Sequence, residues 1–113
     1  LGVYYGIPHG EANAVLLAAV MEFNLPSCVS RMADMAEAMG LSGEGEWGLA
    51  EALTAHLHKM HALLPLRHSL AEMHVRREDL RPMAESAFAA GTTKVNPRKP
   101  TVEDIVSLYE KLL

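Results

Sequence analysis

The chain is 113 residues long and weighs 12.3 kDa, enough for one modest core but too short to hold a two-domain enzyme. Hydrophobic side chains make up 50% of it and aromatic ones only 5%, while alanine and leucine outnumber Val, Ile and Thr by more than two to one, which favours closely packed helices over sheet. The net charge of −4 excludes a general phosphate-backbone binder, so no nucleic-acid partner is expected.

Leu1 to Gly10 has loop composition, with Gly2, Gly6, Gly10, Pro8 and two tyrosines. From Glu11 to Phe23 the residues Ala14, Val15, Leu17, Ala18, Val20 and Met21 give a wide apolar face at helical spacing, the mark of a central helix. Asn24-Leu25-Pro26 should stop it, because proline lacks the amide proton and disfavours helical geometry in the residue before it. Ser27 then reads as the N-cap of a second helix that closes before Gly40, with Val29, Met32, Met35, Ala36 and Met39 inward; the methionine stripe is read as core packing. From Asp34 to Ala52 there are acids and no Lys or Arg, a solvated negative rim.

A third helix is expected from about Gly48 to Leu64, with Leu49, Leu53, Leu57, Met60 and Leu64 on one face and Pro65 as its stop. Ser69 with Glu72 has the capping-box spacing for a short helix through Met73. Glu78, Asp79 and Pro82 open a helix to Ala90 that turns Leu80, Met83, Ala84, Ala87 and Phe88 inward and stops at Gly91. Thr92 to Pro100 reads as a polar loop. Thr101 with Asp104 caps a last helix whose inward residues are Val102, Ile105, Val106, Tyr109 and Leu112. No run alternates with a period of two, so the fold expected for residues 1–113 is a single all-α bundle of about six helices.

The lone cysteine, Cys28, cannot form an internal disulfide, which fits a reducing cytoplasmic setting. The longest uninterrupted apolar run, Ala14 to Met21, is far short of a membrane span, and no membrane association is expected.

Six histidines invite a metal reading. His56 and His58 point to opposite sides of their helix, and His58 with His61 lacks both a third ligand and a His-Glu-x-x-His pattern, so a histidine-rich metal sensor is disfavoured. His68 and His74 lie in a turn-rich connection, and like the three before them are read as surface residues. His9 differs: it stands in Gly6-Ile7-Pro8-His9-Gly10-Glu11, where proline and glycine fix the backbone just ahead of a very apolar helix. A histidine held at a rigid loop-to-helix junction is suited to act as a metal ligand or base.

The run from Leu1 through Pro8-His9-Gly10-Glu11-Ala12-Asn13-Ala14 to Leu17, continued by Val20-Met21-Glu22-Phe23-Asn24, resembles the C-terminal helical domain of the iron-containing alcohol dehydrogenases. Ser69-Leu70, Glu78-Asp79-Leu80, Asn96-Pro97-Arg98, Thr101 and Glu103-Asp104-Ile105 agree in order, so the resemblance covers essentially the whole chain.

In that family a Rossmann-like N-terminal domain binds NAD(P), and an aspartate with three histidines in the helical domain holds divalent iron or zinc for alcohol and aldehyde interconversion. The resemblance implies that His9 is the last of those metal ligands. It also implies that Thr92, Thr93, Lys94 and Val95, before Asn-Pro-Arg, line the substrate pocket. The other ligands and the nucleotide domain fall upstream of Leu1, so these residues read as a fragment that is inactive alone and assigns no further catalytic residue. Its expected partner is that missing domain; the competing reading is a self-associating helical interaction module, driven by the uncovered flanks of Glu11 to Phe23. His74 stands where the family commonly has glycine, which suggests an altered turn.

Overall fold

The alanine- and leucine-rich composition yields helices throughout. The computed structural model describes residues 1–113 and contains α1 (Gly2–Tyr5), α2 (His9–Ala38), α3 (Gly45–Leu63), a 3-10 turn (Arg77–Asp79), α4 (Leu80–Ala89), α5 (Gly91–Lys94) and α6 (Val102–Lys111), with no strand. The expected all-α, six-helix architecture is observed. The chain divides into two compact units, Leu1–Leu16 with Pro65–Leu113, and Leu17–Leu64.

In the first unit α4 packs on α6, and Leu80, Met83, Ala84 and Tyr109 join Leu70, Met73 and Val75 in a core completed by Ile7, Ala12 and Val15. Burial pushes the Tyr109 phenol above its usual pKa range. Helix α6 begins as its sequence predicts: Thr101 Oγ1 accepts from the Asp104 amide at 3.1 Å, and Asp104 Oδ2 accepts from the Thr101 amide at 2.9 Å.

The helix expected over Ser69–Met73 is instead a single closed turn. Ser69 Oγ accepts from the Glu72 amide at 3.1 Å, but the Glu72 carboxylate takes the amide of His68, at 2.8 Å, in place of that of Ser69. The next turn never starts, because the Val75 amide reaches back to the Leu70 carbonyl at 3.0 Å and the His74 amide to Ala71 at 2.9 Å. This is the bonding of a Schellman closure, with the buried pair Leu70 and Val75 as its apolar contact. His74 occupies the left-handed position at φ 63°, the one residue other than glycine with positive φ. The turn expected to be altered by His74 therefore closes with histidine in the conformation that glycine adopts without strain.

Two expectations about α4 and its surroundings are corrected. A 3-10 turn precedes the helix proper, and Gly91, expected to stop it, opens α5; the helix is closed at Ala90. Phe88, expected inward, is exposed.

In the second unit Leu25, Met32, Ala36, Ala50 and Leu53 form the buried core, flanked by Met21, Cys28, Val29, Leu49 and Leu57. The expected break at Pro26 is absent: α2 runs from His9 to Ala38 and departs from helical geometry only at Cys28, with φ −135° and ψ 23°. Proline removes one amide donor and crowds the preceding turn, so the distortion is taken up as a kink, and burial of Leu25, Met32 and Ala36 on either side keeps both halves helical. The C-terminal stop is where it was expected: Gly40 is left-handed at φ 75°, and the Leu41 amide returns to the Ala36 carbonyl at 2.9 Å.

Helix α3 starts at Gly45, earlier than expected, and the chain packs tightly against its first turn: a Cβ on Gly43 would lie 2.5 Å from the Gly48 carbonyl. Met35 in α2 and Met39 just after it, and Met60 in α3 with Leu64 just after it, were expected in the core and are exposed. Helix α2 is long and apolar enough to cross a membrane by length and composition. About a third of its apolar window is buried, with Val15, Ala18, Leu25, Met32 and Ala36 among its buried positions, and it also carries charged Glu11, Glu22, Arg31, Asp34 and Glu37.

Candidate functional site

The loop that carries His9 is shorter than its composition suggests. Helix α1 makes one turn, with the Tyr5 amide bonded to Leu1 and the Gly6 amide to Gly2, both at 2.9 Å. Gly6 ends it at φ 62°, where a side chain would be strained. Ile7 is buried and anchors the crossing. The Pro8 carbonyl then accepts from the Ala12 amide at 3.0 Å, so α2 begins at His9 itself. Only Gly6, Ile7 and Pro8 separate the two helices.

His9 is exposed, and its Nε2 lies 3.2 Å from the Asn13 side-chain amide one turn along α2. Two long-range clamps hold the backbone on either side. On the near side the Tyr5 hydroxyl donates to Asp79 Oδ2 and accepts from the Arg76 amide at 3.0 Å. The Arg76 guanidinium closes this cluster onto the same carboxylate oxygen, with Nε at 3.1 Å and a second nitrogen at 3.0 Å. On the far side Glu11 receives two parallel bonds from Arg67, Nε to Oε1 at 2.7 Å and a terminal nitrogen to Oε2 at 2.9 Å. That fork-to-fork pairing fixes direction as well as distance.

Both carboxylates titrate below their ordinary values: Glu11 because Arg67 hydrogen-bonds to its ionised form, and Asp79 because Tyr5 does so first and Arg76 second. Arg67 and Arg76 are correspondingly held in their charged forms. Sequence reasoning singled out His9 and missed its clamps. Tyr5 and Glu11 lie 74 and 56 residues from their partners, and no local pattern connects them.

As a donor set these residues fit one ligand of a metal site. No group of three or more His, Cys, Asp or Glu side chains is placed to hold an ion. Among the other histidines, His58 contacts the Glu22 carboxylate and is half-exposed, His56 and His61 are half-buried, and His68 and His74 are exposed.

Thr92 to Val95, expected in a loop, form most of α5 and the residue after it. Thr93 Oγ1 donates to the Ala87 carbonyl of α4 at 2.6 Å, whereas Thr92, Lys94 and Val95 are exposed. This segment is thus fixed to α4, and no hydrogen bond joins it to the His9 loop.

An all-helical domain that presents one histidine on a clamped loop-to-helix junction is the class this geometry defines. The model of the Fe-containing alcohol dehydrogenase family, C-terminal, matches residues 1–113. Lactaldehyde reductase of Escherichia coli strain K12 is 39% identical over 112 residues, which cover 96% of this chain and 29% of that protein. The 1,3-propanediol dehydrogenase of Klebsiella pneumoniae is 34% identical over 113 residues, covering 98% of this chain and 29% of its own length. Among solved structures, the crystal structure of a 1,3-propanediol oxidoreductase superposes with a TM-score of 0.95 at 33% identity, covering all of this chain and 30% of that one. The chain belongs to the Fe-containing alcohol dehydrogenase family and corresponds to its C-terminal domain. It spans less than a third of the length of the relatives it matches.

Proposed function

We propose that this chain is the metal-facing helical part of a dehydrogenase that interconverts a primary or secondary alcohol and its carbonyl compound, with His9 as one ligand of a divalent iron or zinc ion. The observation that carries the proposal is His9 itself: an exposed imidazole at the first residue of α2, on a loop clamped from both sides, within a domain of a family named for its iron. When bound, the ion acts as a Lewis acid toward the alcohol or carbonyl oxygen, and NAD(P) carries the hydride. The remaining metal donors and the nucleotide site are proposed to lie on polypeptide outside these residues, since no group of three or more donor side chains is assembled here.

The part played by this chain is positional. Asn13 holds the His9 ring from one turn away, Gly6 and Pro8 set the backbone path, and buried Ile7 keeps the loop seated. Thr92, Thr93, Lys94 and Val95 are proposed as substrate-side residues; Thr93, spent on Ala87, gives the segment its rigidity and leaves the exposed three to make contact. A cytoplasmic setting is part of the same proposal, supported by the single half-buried thiol of Cys28.

The test is a nicotinamide-dependent alcohol assay with metal analysis, run on these 113 residues and on the protein at its full encoded length. Turnover and bound metal are expected only at full length; cofactor-dependent turnover by the 113 residues alone would overturn the reading.

Self-association of the isolated residues is a second reading, for which the support on the Glu11–Phe23 flank is Leu17, 50% exposed. Light scattering on the 113 residues is expected to show oligomers, and a clean monomer at high concentration would count against it.

A further inference from the structure

We infer that Arg67 and Asp79 are positioning residues for His9, each locking one flank of the short segment that presents the imidazole. The inference rests on the reading of His9 as a metal ligand and adds to it the means by which the ligand is aimed. The imidazole has no long-range partner of its own; its one side-chain bond is to Asn13, in the same helix. Asn13 steadies the ring but rides on the same helix, so the aim of the pair is set by where the backbone of Gly6 to Glu11 is held.

That backbone is held at two points. Tyr5, four residues before His9, is hydrogen-bonded through its hydroxyl to Asp79 and to the Arg76 amide. Glu11, two residues after it, is gripped by both arms of Arg67, and its side chain is only 15% exposed. The two clamps reach different parts of the chain, the connection after Pro65 and the 3-10 turn ahead of α4, so the segment cannot pivot about either one alone. Groups hydrogen-bonded directly to a metal-bound histidine commonly alter metal affinity by about ten- to a hundredfold when removed, which sets an upper bound for clamps that act one step further out. A bidentate arginine also restricts rotation in a way that a lysine does not.

The test uses the protein at its full encoded length, stripped of metal and reloaded with cobalt(II) as a spectroscopic probe. The cobalt dissociation constant, by chelator competition, and the visible ligand-field spectrum are measured for the parent and for His9→Ala, Arg67→Gln, Arg67→Lys, Asp79→Asn and Tyr5→Phe. Thermal midpoints are recorded alongside. His9→Ala should lose tight binding. Arg67→Gln and Asp79→Asn should weaken binding by up to about tenfold and shift the spectrum. Arg67→Lys should fall short of full rescue, and Tyr5→Phe, which deletes a single hydroxyl and is the mildest for folding, should weaken binding severalfold.

If His9→Ala loses cobalt while the clamp variants keep parental affinity and spectrum, the positioning role is overturned and the ligand reading stands. If the clamp variants only lower the thermal midpoint, the clamps are structural and the inference falls. If His9→Ala retains affinity and spectrum, the ligand reading fails and this inference fails with it.

Discussion

His74 shows how much one backbone position can carry. It completes the turn from Leu70 to Val75 in a left-handed conformation that costs a residue with a side chain about 1 to 2 kcal/mol, and part of that cost returns as lower entropy in the unfolded chain. Replacing His74 with glycine should therefore stabilise the fold by about 0.5 to 1 kcal/mol in denaturant titration. A loss of stability would mean that the His74 ring makes a contact worth more than the strain. Glu11 and Asp79 give a second prediction at this scale. Their pKa values are lowered on folding, so their contribution to stability is complete above the ordinary carboxylate range and is lost as pH falls through the lowered values. Stability should drop with acid below about pH 4. In Glu11→Gln and Asp79→Asn, compared by acid titration of the thermal midpoint, that part of the slope should flatten.

At the scale of elements, what could be read from the sequence depended on whether the deciding bonds were local. The capping box of α6 lies within four residues and was legible; Thr101→Ala should cost about 1 kcal/mol in thermal or denaturant unfolding, and an unchanged midpoint would show that the cap is idle. Gly40 was legible for the same reason. Ser69 and Glu72 have the same spacing, yet the carboxylate chose the amide of His68, and burial of Leu70 and Val75 closed the turn before a helix could grow. Pro26 is a local signal that tertiary packing overrode, turning an expected end into a kink at Cys28. The apolar faces were read too generously, since helical spacing identifies a face but not its width: Met32 and Ala36 are buried, whereas Met35 and Met39 are exposed.

At the scale of the whole molecule, each unit has its own core, and the first is organised around Leu70, which is fully buried and whose amide donates to the Leu112 carbonyl at 2.7 Å. Leu70→Ala should cost about 2 to 5 kcal/mol in equilibrium unfolding, and a cost under 1 would mean the site collapses around the missing side chain. The candidate site lies in this unit and was only half legible. His9 stood out through the words around it, but the clamps from Arg67 and Asp79 form only when distant parts of the chain meet. The central claim is that His9 is a ligand of a metal ion completed by donors beyond these residues. Its most direct test is the metal content of the full-length protein with and without the His9→Ala change, both purified in the presence of ferrous iron or zinc. About one equivalent of divalent ion in the parent, absent from a folded variant, is the predicted result. An equal metal content in the two, with turnover preserved, would contradict it.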